Sequence, residues 1–557
     1  MRIWSPNIWQ RQTVDFGGRI ELQEFGNRDL VKGGRVSSAT DLARQTIRKL
    51  IEFGVSDFVI SPGSRNAPLS IALQEAEQRG VIELHIKLDE RGAAFYALGI
   101  AKATNQHVVV ICTSGTAAAN FHPALLEAWH ASNKLIAITA DRPERLRKTG
   151  ANQTTDQVGM FPNISAFDLV TGVNFELGNG PTHLNIQFDE PLLPKDKNDW
   201  LSGLHINPPK QITESTKSLS VSGNGVIVIG HDRGTLPASE IATFIKSSGL
   251  PIIAEDPLTF ANSISHASAF LSDEVIRNYL KADYAIVIGR TTLSRSINSY
   301  LALADKTFVI DPRISTIDTK RTASQIFFAL PKLEVSTLNP TWISDWNEIS
   351  KLASKIIDED QSWSEQIALR TISAGIPEGS ALFVGSSRPI RDVEAFAAPR
   401  SGIEVFANRG LAGIDGNLST IFGISHNFER TYAVIGDLTF LHDLTALLSP
   451  ASNNLTIFVI DNNGGGIFST LPQAGVAGFE EIFATPQNQD LVKIISSFGI
   501  QVTKVKSTSD LNFALSQSSP GLNFVIVEVP NRDFMASNLM ETYSRISNAV
   551  RIGLNLA

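Results

Sequence analysis

The chain has 557 residues, a formal net charge of −8, 43% hydrophobic residues and 19% charged ones. That length holds roughly three to four domains, the composition is that of an ordinary globular protein, and the acidic balance argues against nucleic acid as the main partner. The single Cys112 excludes an intrachain disulfide and fits a reducing compartment such as the cytoplasm. The longest apolar runs, Val108–Cys112 and Ile457–Ile460, fall far short of the roughly 18 residues a membrane span needs, and the amino terminus lacks the apolar core of an export signal.

Residues 1–36 show no clear period and read as an extension or an early start. A helical pattern begins near Ala39, with Leu42, Ile47, Leu50 and Ile51 on one face. Strands and helices then alternate: Phe58–Ile60, a helix from Pro68, Leu84–Leu88, a helix from Ala93, Val108–Cys112, a helix from Ala117, and Leu135–Thr139. The section closes at Leu184–Phe188 and Pro191. A Ser/Pro/Lys-rich stretch from about 202 to 224 reads as a linker. A second α/β unit has strands at Val226–Ile229, Pro251–Ala254, Tyr284–Ile288 and Thr307–Ile310 and ends in Asp311-Pro312-Arg313, with a weaker linker expected near 352–378. The third section repeats the alternation at Ala381–Val384, Val405–Ala407, Tyr432–Ile435, Thr456–Ile460 and Phe524–Val527. The expected fold class is α/β, with three doubly wound parallel-sheet domains at 37–205, 222–355 and 376–557. The outer two duplicate an architecture without repeating its letters.

The third section carries the strongest chemical signal. The β-branched runs of Tyr432–Leu438 and Leu455–Gly466 each end in polar and Gly residues, as buried parallel strands do where they enter a loop. Between them Phe440, Leu441, Leu444, Leu447 and Leu448 recur at helical spacing. Asp437 and Asn462 therefore fall beyond the carboxyl ends of two strands, where open α/β sheets bind ligands. A carboxylate, an amide oxygen and a free carbonyl are hard oxygen ligands that suit Mg²⁺ held jointly with a diphosphate. The pattern resembles the anchor of thiamine-diphosphate enzymes, usually Gly-Asp-Gly with a distal Asn-Asn, although Leu438 stands at the third position here.

Other strand ends gather polar residues. Asp89-Glu90-Arg91-Gly92 closes a strand and opens a helix; its plain reading is an acidic pair favoured by the helix dipole. The thiamine resemblance implies instead that Glu90 bonds the cofactor's pyrimidine ring and stabilises the tautomer that removes the thiazolium proton. Ser61–Pro68, Thr139–Pro143, Thr149–Gln153, Gly385–Arg391 and Asn408–Gly416 supply Ser64, Arg65, Arg142, Asn152, Gln153, Ser387, Arg391 and Arg409. An acidic protein that gathers arginines at strand ends points to a substrate with more than one carboxylate.

SPGSRNAP, DERGAAFYALGIAKA, CTSGTAAANFHPALLEA, TADRP, GANQ, GPTHLN, NRGLAGIDG, GDLTFLHDL and NNGGGIFSTLP together resemble the 2-succinyl-5-enolpyruvyl-6-hydroxy-3-cyclohexene-1-carboxylate (SEPHCHC) synthase family of menaquinone biosynthesis, from about residue 38 onward. The resemblance implies a cytoplasmic transferase that decarboxylates 2-oxoglutarate and adds the succinyl unit to isochorismate by 1,4-addition. It implies pyrimidine-binding, central and diphosphate-binding domains in chain order, and a homodimer or homotetramer with sites at the subunit interface. Glu90, Gln153, Arg391 and Arg409 would be catalytic. Glu90, Gln153, Ser387, Ile414, Asp437 and Asn462 would bind thiamine diphosphate, with Ile414 as the wedge that bends it. Mg²⁺, for which Mn²⁺ can substitute, would be held by Asp437, Asn462 and the Gly464 carbonyl, with Asn463 the alternative because the register is ambiguous by one. Ser64, Arg65, Arg142, Asn152, Arg295, Arg391, Arg409, Ile467, Phe468 and Leu471 would meet substrate, although the usual basic neighbour of Arg295 is Ser294 here.

Two other classes compete. Another thiamine-dependent 2-oxoacid decarboxylase or an acetolactate-synthase-like carboligase is opposed by Leu438, by the missing His-His pair and by the arginine set. A non-catalytic thiamine-fold subunit is opposed by the joint presence of Glu90, Asp437 and Asn462. Cys112 reads as a core thiol. His85, His107, His122, His130, His183 and His442 lack metal-ligand spacing, and His442 reads as structural. Gly230–Gly234 lacks GxGxxG, which leaves the middle section a scaffold.

Overall fold

Apolar β-branched runs build the strands, and every sheet pairing is parallel. The computed structural model describes residues 38–207, 217–313, 318, 321–450, 454–517 and 520–556. The extension read at 1–36 and the middle of the linker read at 202–224 lie outside them. The first sheet runs Glu83–Ile86, Asp57–Ile60, Val108–Cys112, Leu135–Asp141, Thr182–Gln187, Ser165–Leu169. The third runs Ile403–Phe406, Ser380–Val384, Thr431–Gly436, Leu455–Asp461, Leu522–Glu528, Gln501–Val505. Counted in chain order, each has the strand order 2-1-3-4-6-5, so the duplication is one of topology. Between them a five-stranded sheet runs Gln325–Phe327, Lys306–Ile310, Tyr284–Ile288, Gly225–Ile229, Ile252–Ala254.

Central strands such as Val108–Cys112, Leu135–Asp141 and Ser380–Val384 are buried along their whole length, as parallel strands covered by helices on both faces must be. The expected strands are present, some with shifted ends; Leu84–Leu88 shortens to Glu83–Ile86, leaving Leu88 65% exposed. The helix from Ala117 breaks into Thr116–Ala119 and His122–Ala131. The apolar spacing after Asp437 forms a short α-helix, Asp437–His442, and then a 3₁₀ turn, Leu444–Leu448.

Both linker readings need correction. The end of the first is the strand Ser218–Ser222, paired with Lys332–Ser336. Most of the second is helix, Trp342–Glu359 and Glu365–Gly375. The latter is capped by the Ser364 hydroxyl, which accepts from the Ile367 amide, and it buries Ile367, Leu369 and Ile372.

The first and third sections meet along two helices, Glu90–Thr104 and Asn417–Ser425. Their backbones touch through glycines: a Cβ on Gly99 would stand 2.2 Å from the Thr420 carbonyl oxygen, and one on Gly423 would stand 2.0 Å from that of Tyr96. Gly99→Ala should therefore lower stability by about 1–3 kcal/mol, since backbone cannot yield as a flexible side chain would. A scanning-calorimetry midpoint equal to that of the parent would show that the helices part freely.

Candidate active site

In the third sheet the strand order reverses between Ser380–Val384 and Thr431–Gly436, the switch point at which doubly wound sheets open a crevice. A cavity of about 160 Å³ lies there, lined among others by Ser387, Ile414, Asp437, Asn462, Ile467 and Phe468. One strand delivers Ser386 and Ser387 to the start of the helix Arg388–Phe396, whose free amides form a ready anion site. Ser387 takes φ +73°, a left-handed conformation that costs a non-glycine residue of order 1–3 kcal/mol and marks a shaped site.

The next strand delivers Asp437, which is 6% exposed. Its Oδ1 accepts from the Leu438 amide and its Oδ2 from the Gly464 amide, both at 2.7 Å. Burial, with Asp461 and Glu365 adding to it, pushes the Asp437 carboxyl up to about 7. Gly464 closes the loop at φ +131°, where a Cβ would lie 2.3 Å from the Ala484 carbonyl oxygen, so only glycine fits. The buried Oδ1 of Asn462 meets no donor, while its Nδ2 donates to Glu365. Asn463 is exposed and turned away, exchanging hydrogen bonds with Asn488 at 2.8 and 3.1 Å. Of the ambiguous pair, Asn462 is the one whose side-chain oxygen is buried without a donor. A buried carboxylate raised for want of a counter-charge, beside an amide oxygen without a donor, fits a hard divalent cation.

The residues expected to meet substrate fall into two groups. Arg391 donates to the Ser387 carbonyl, and burial, with Arg388 and Arg409 beside it, holds its guanidinium below the usual value. Arg409 is 3% exposed, and its Nε and Nη2 grip Glu255 of the middle section at 2.9–3.2 Å; Nη1 makes no hydrogen bond among the described residues. In the first section Arg142 donates to Ser114 Oγ at 2.8 Å and to the Gln153 carbonyl at 2.6 Å. Burial, with Arg65 beside it, lowers its guanidinium too. Arg65 reaches the Phe188 carbonyl and Glu190, and Ser64, Asn152 and Gln153 stand exposed nearby in sequence. Two sets of mutually repelling arginines invite an anionic ligand.

Glu90 opens the helix of the first section, half-buried, with no side-chain hydrogen bond or ion pair among the described residues. No first-section residue lines the third-section cavity. Leu471 is half-buried just past the turn that carries Ile467 and Phe468. Arg295 is exposed, and Ser294 beside it caps the helix, accepting from the Ile297 amide at 3.4 Å.

The family model described as the thiamine pyrophosphate enzyme N-terminal TPP binding domain matches residues 40–160, and the one for the C-terminal TPP binding domain matches 393–529. A 2-succinyl-5-enolpyruvyl-6-hydroxy-3-cyclohexene-1-carboxylate synthase of Thermobifida fusca is 35% identical over 86% of this chain and 94% of its own length. Enzymes of the same name from Saccharopolyspora erythraea and Bacillus cytotoxicus are each 34% identical, over 93% and 82% of this chain and 100% and 88% of their own. The chain belongs to the SEPHCHC synthase family. It is a thiamine-diphosphate enzyme, with both cofactor-binding modules in one chain.

Within this SEPHCHC synthase fold, sequence reasoning missed three charged residues of the cavity lining. Glu365 is 3% exposed and binds Asn462, but it lay inside the stretch read as a linker; its signal was Ser364 before an apolar helical period. Arg388 and Asp392 line the cavity as an i,i+4 pair, and burial pushes the Asp392 carboxyl upward although Arg388 beside it opposes the shift. Cys112 is the core thiol expected, raised by burial and then by Glu90. His442 ends its helix with its carbonyl accepting from Arg91 at 3.0 Å.

Proposed function

We propose that this chain decarboxylates 2-oxoglutarate and joins the remaining four-carbon unit to isochorismate, releasing CO₂ and forming SEPHCHC for menaquinone biosynthesis in the cytoplasm. The observation that carries the reading is the switch-point cavity, where Asp437, the donor-free Asn462 oxygen and the glycine-only loop at Gly464 surround one small volume. Those three groups would hold Mg²⁺, or Mn²⁺ in its place. The sections 37–205, 222–355 and 376–557 would be the pyrimidine-binding, central and diphosphate-binding domains.

Bound thiamine diphosphate would supply the electron sink for decarboxylation and the nucleophile for addition. Ser387 and the start of the Arg388–Phe396 helix would seat its diphosphate. Ile414, Ile467 and Phe468 would give the cavity a dry wall and set the ring angle. Glu90 would hold a proton against the aminopyrimidine, and Gln153 would contact the cofactor and the reacting end of the substrate. Arg391, the free edge of Arg409, and the Ser64, Arg65, Arg142 and Asn152 group would fix substrate carboxylates through charge-assisted bonds. Arg295 would serve as a further carboxylate contact from the middle section, and Leu471 would border the substrate pocket.

Purified protein with thiamine diphosphate and Mg²⁺ should convert 2-oxoglutarate and isochorismate to SEPHCHC and CO₂. Acetolactate from pyruvate, with no reaction of isochorismate, would instead support the carboligase reading.

The two third-section arginines should behave differently. Arg391→Ala removes a cation hemmed in by others, and should raise KM for an acidic substrate by a loss of about 1.5–3 kcal/mol with little change in stability. Arg409→Ala strands Glu255 in the interior, and should also destabilise the fold by about 3–5 kcal/mol. Steady-state kinetics beside thermal melts separate the two, and equal melting midpoints for both variants would contradict the distinction.

A further inference from the structure

We propose that Asp57, Glu83, His85 and His426 form a structural binding site for a borderline transition-metal ion of the Zn²⁺ class, clipping the first section to the third away from the catalytic cavity. One ligand atom from each residue lies within 4.8 Å of all the others. His85 Nε2 is 3.2 Å from Asp57 Oδ1, His426 Nε2 is 3.1 Å from Glu83 Oε2, and His426 Nε2 is 4.0 Å from Asp57 Oδ1. The two imidazoles meet edge to face, with centroids 4.8 Å apart. Tetrahedral Zn²⁺ with bonds of roughly 2.0–2.2 Å sets its ligand atoms roughly 3.4 Å apart. Two of the contacts already have that spacing. The third, between His426 and Asp57 at 4.0 Å, must shorten, and the Glu83 side chain, 57% exposed, has room to adjust as it does.

The surrounding atoms are arranged as metal sites require. A ligating imidazole needs its other ring nitrogen tied to a partner that fixes its orientation, and His85 Nδ1 faces the Tyr96 hydroxyl at 3.4 Å. The second oxygen of Asp57 accepts from Ser56 Oγ at 2.6 Å, which leaves Oδ1 for the ion. Two nitrogens and two carboxylate oxygens favour Zn²⁺ over Mg²⁺, which prefers an all-oxygen shell.

The placement explains what such a clip would do. Asp57 and Glu83 are register partners at the start of neighbouring strands, the end of the first sheet opposite Glu90 and the arginines. His426 is the C-cap of Asn417–Ser425, the third-section helix that crosses Glu90–Thr104 through its glycines. Tyr96 belongs to that partner helix. An ion here would therefore fasten the helix pair that joins the two sections. No spacing of histidines in the sequence announces it, because the ligands come from three separate places in the chain, with only Glu83 and His85 on one strand.

The test uses the full-length chain with saturating thiamine diphosphate and Mg²⁺, so that the diphosphate site is filled. Zn²⁺ bound after dialysis is measured by mass spectrometry, and the tetrahedral Co²⁺ absorption band by titration. Wild type and Asp437→Ala should both bind one equivalent. His426→Gln and Glu83→Gln should lose it, with folding checked by circular dichroism. Tyr96→Phe should bind roughly 10–100-fold more weakly, as loss of an outer partner does. Zn²⁺ should raise the melting midpoint of wild type but not of His426→Gln, while catalytic turnover in the two remains alike at moderate temperature. Sub-stoichiometric uptake by wild type, or equal uptake by wild type and a folded His426→Gln, overturns the proposal and leaves the cluster a hydrogen-bonded ion group.

Discussion

Glu90→Gln is expected to reduce kcat by roughly 10²–10⁴-fold, the range that a positioned proton-transfer group contributes, while Mg²⁺-dependent binding of thiamine diphosphate stays near the parent value. The separation follows from geometry. The groups fit to grip a diphosphate and its cation, Ser387, Asp437, Asn462 and Gly464, all belong to the third section and line its cavity. Glu90 starts a helix of the first section, half-buried and without a side-chain partner among the described residues. A carboxylate kept partly desolvated and unpaired costs stability, which is tolerable where a ligand supplies the missing partner. Gln keeps size and shape but cannot carry the charge that favours the reactive tautomer. Calorimetric titration gives the affinity and initial rates give kcat. Full activity in Glu90→Gln would remove Glu90 from the chemistry, whereas loss of cofactor binding would make it an anchor instead.

How much of this was legible depended on burial. The strands Val108–Cys112 and Thr431–Gly436 are covered on both faces, so they had to be continuous apolar runs, and they read as such. Ser165–Leu169, Ser218–Ser222, Gln325–Phe327, Lys332–Ser336 and Gln501–Val505 went unread because they lie at sheet margins with much of their length exposed. Lys504 in the last of these pairs with Glu528 instead of packing. The placement of Asp437 and Asn462 just past two strand ends was readable because a strand's end is written locally. Arg409 was readable as an arginine but not as one gripping Glu255, a contact across 154 residues that only the packed middle section creates. The same holds for His85 and His426: each alone looks like any half-buried imidazole, and only tertiary packing makes them neighbours. Local chemistry shows in local sequence, and chemistry assembled across sections does not.

That limit bears on the last expected result, which concerns a site assembled between chains. The third-section cavity receives nothing from the first section of its own chain, yet the proposed function needs Glu90 at the cofactor held there. A second copy, related by a two-fold axis, would bring its Glu90 to this cavity and take the reciprocal contact in return. Apolar residues stand ready for such a surface: Leu88 and Leu448, 65% and 55% exposed, line one hollow between the first and third sections, and exposed apolar residues that lie together mark interfaces. Co-expressing Glu90→Gln and Asp437→Ala chains tests this. In a mixed dimer one site collects both lesions and the other has neither. With random pairing half of the dimers are mixed, so roughly a quarter of all sites should regain activity although each parent is inactive. If affinity tags show that mixed dimers form but activity does not rise above that of the parents, each chain must complete its site alone, and Glu90 would have to reach Asp437 by a rearrangement within one subunit.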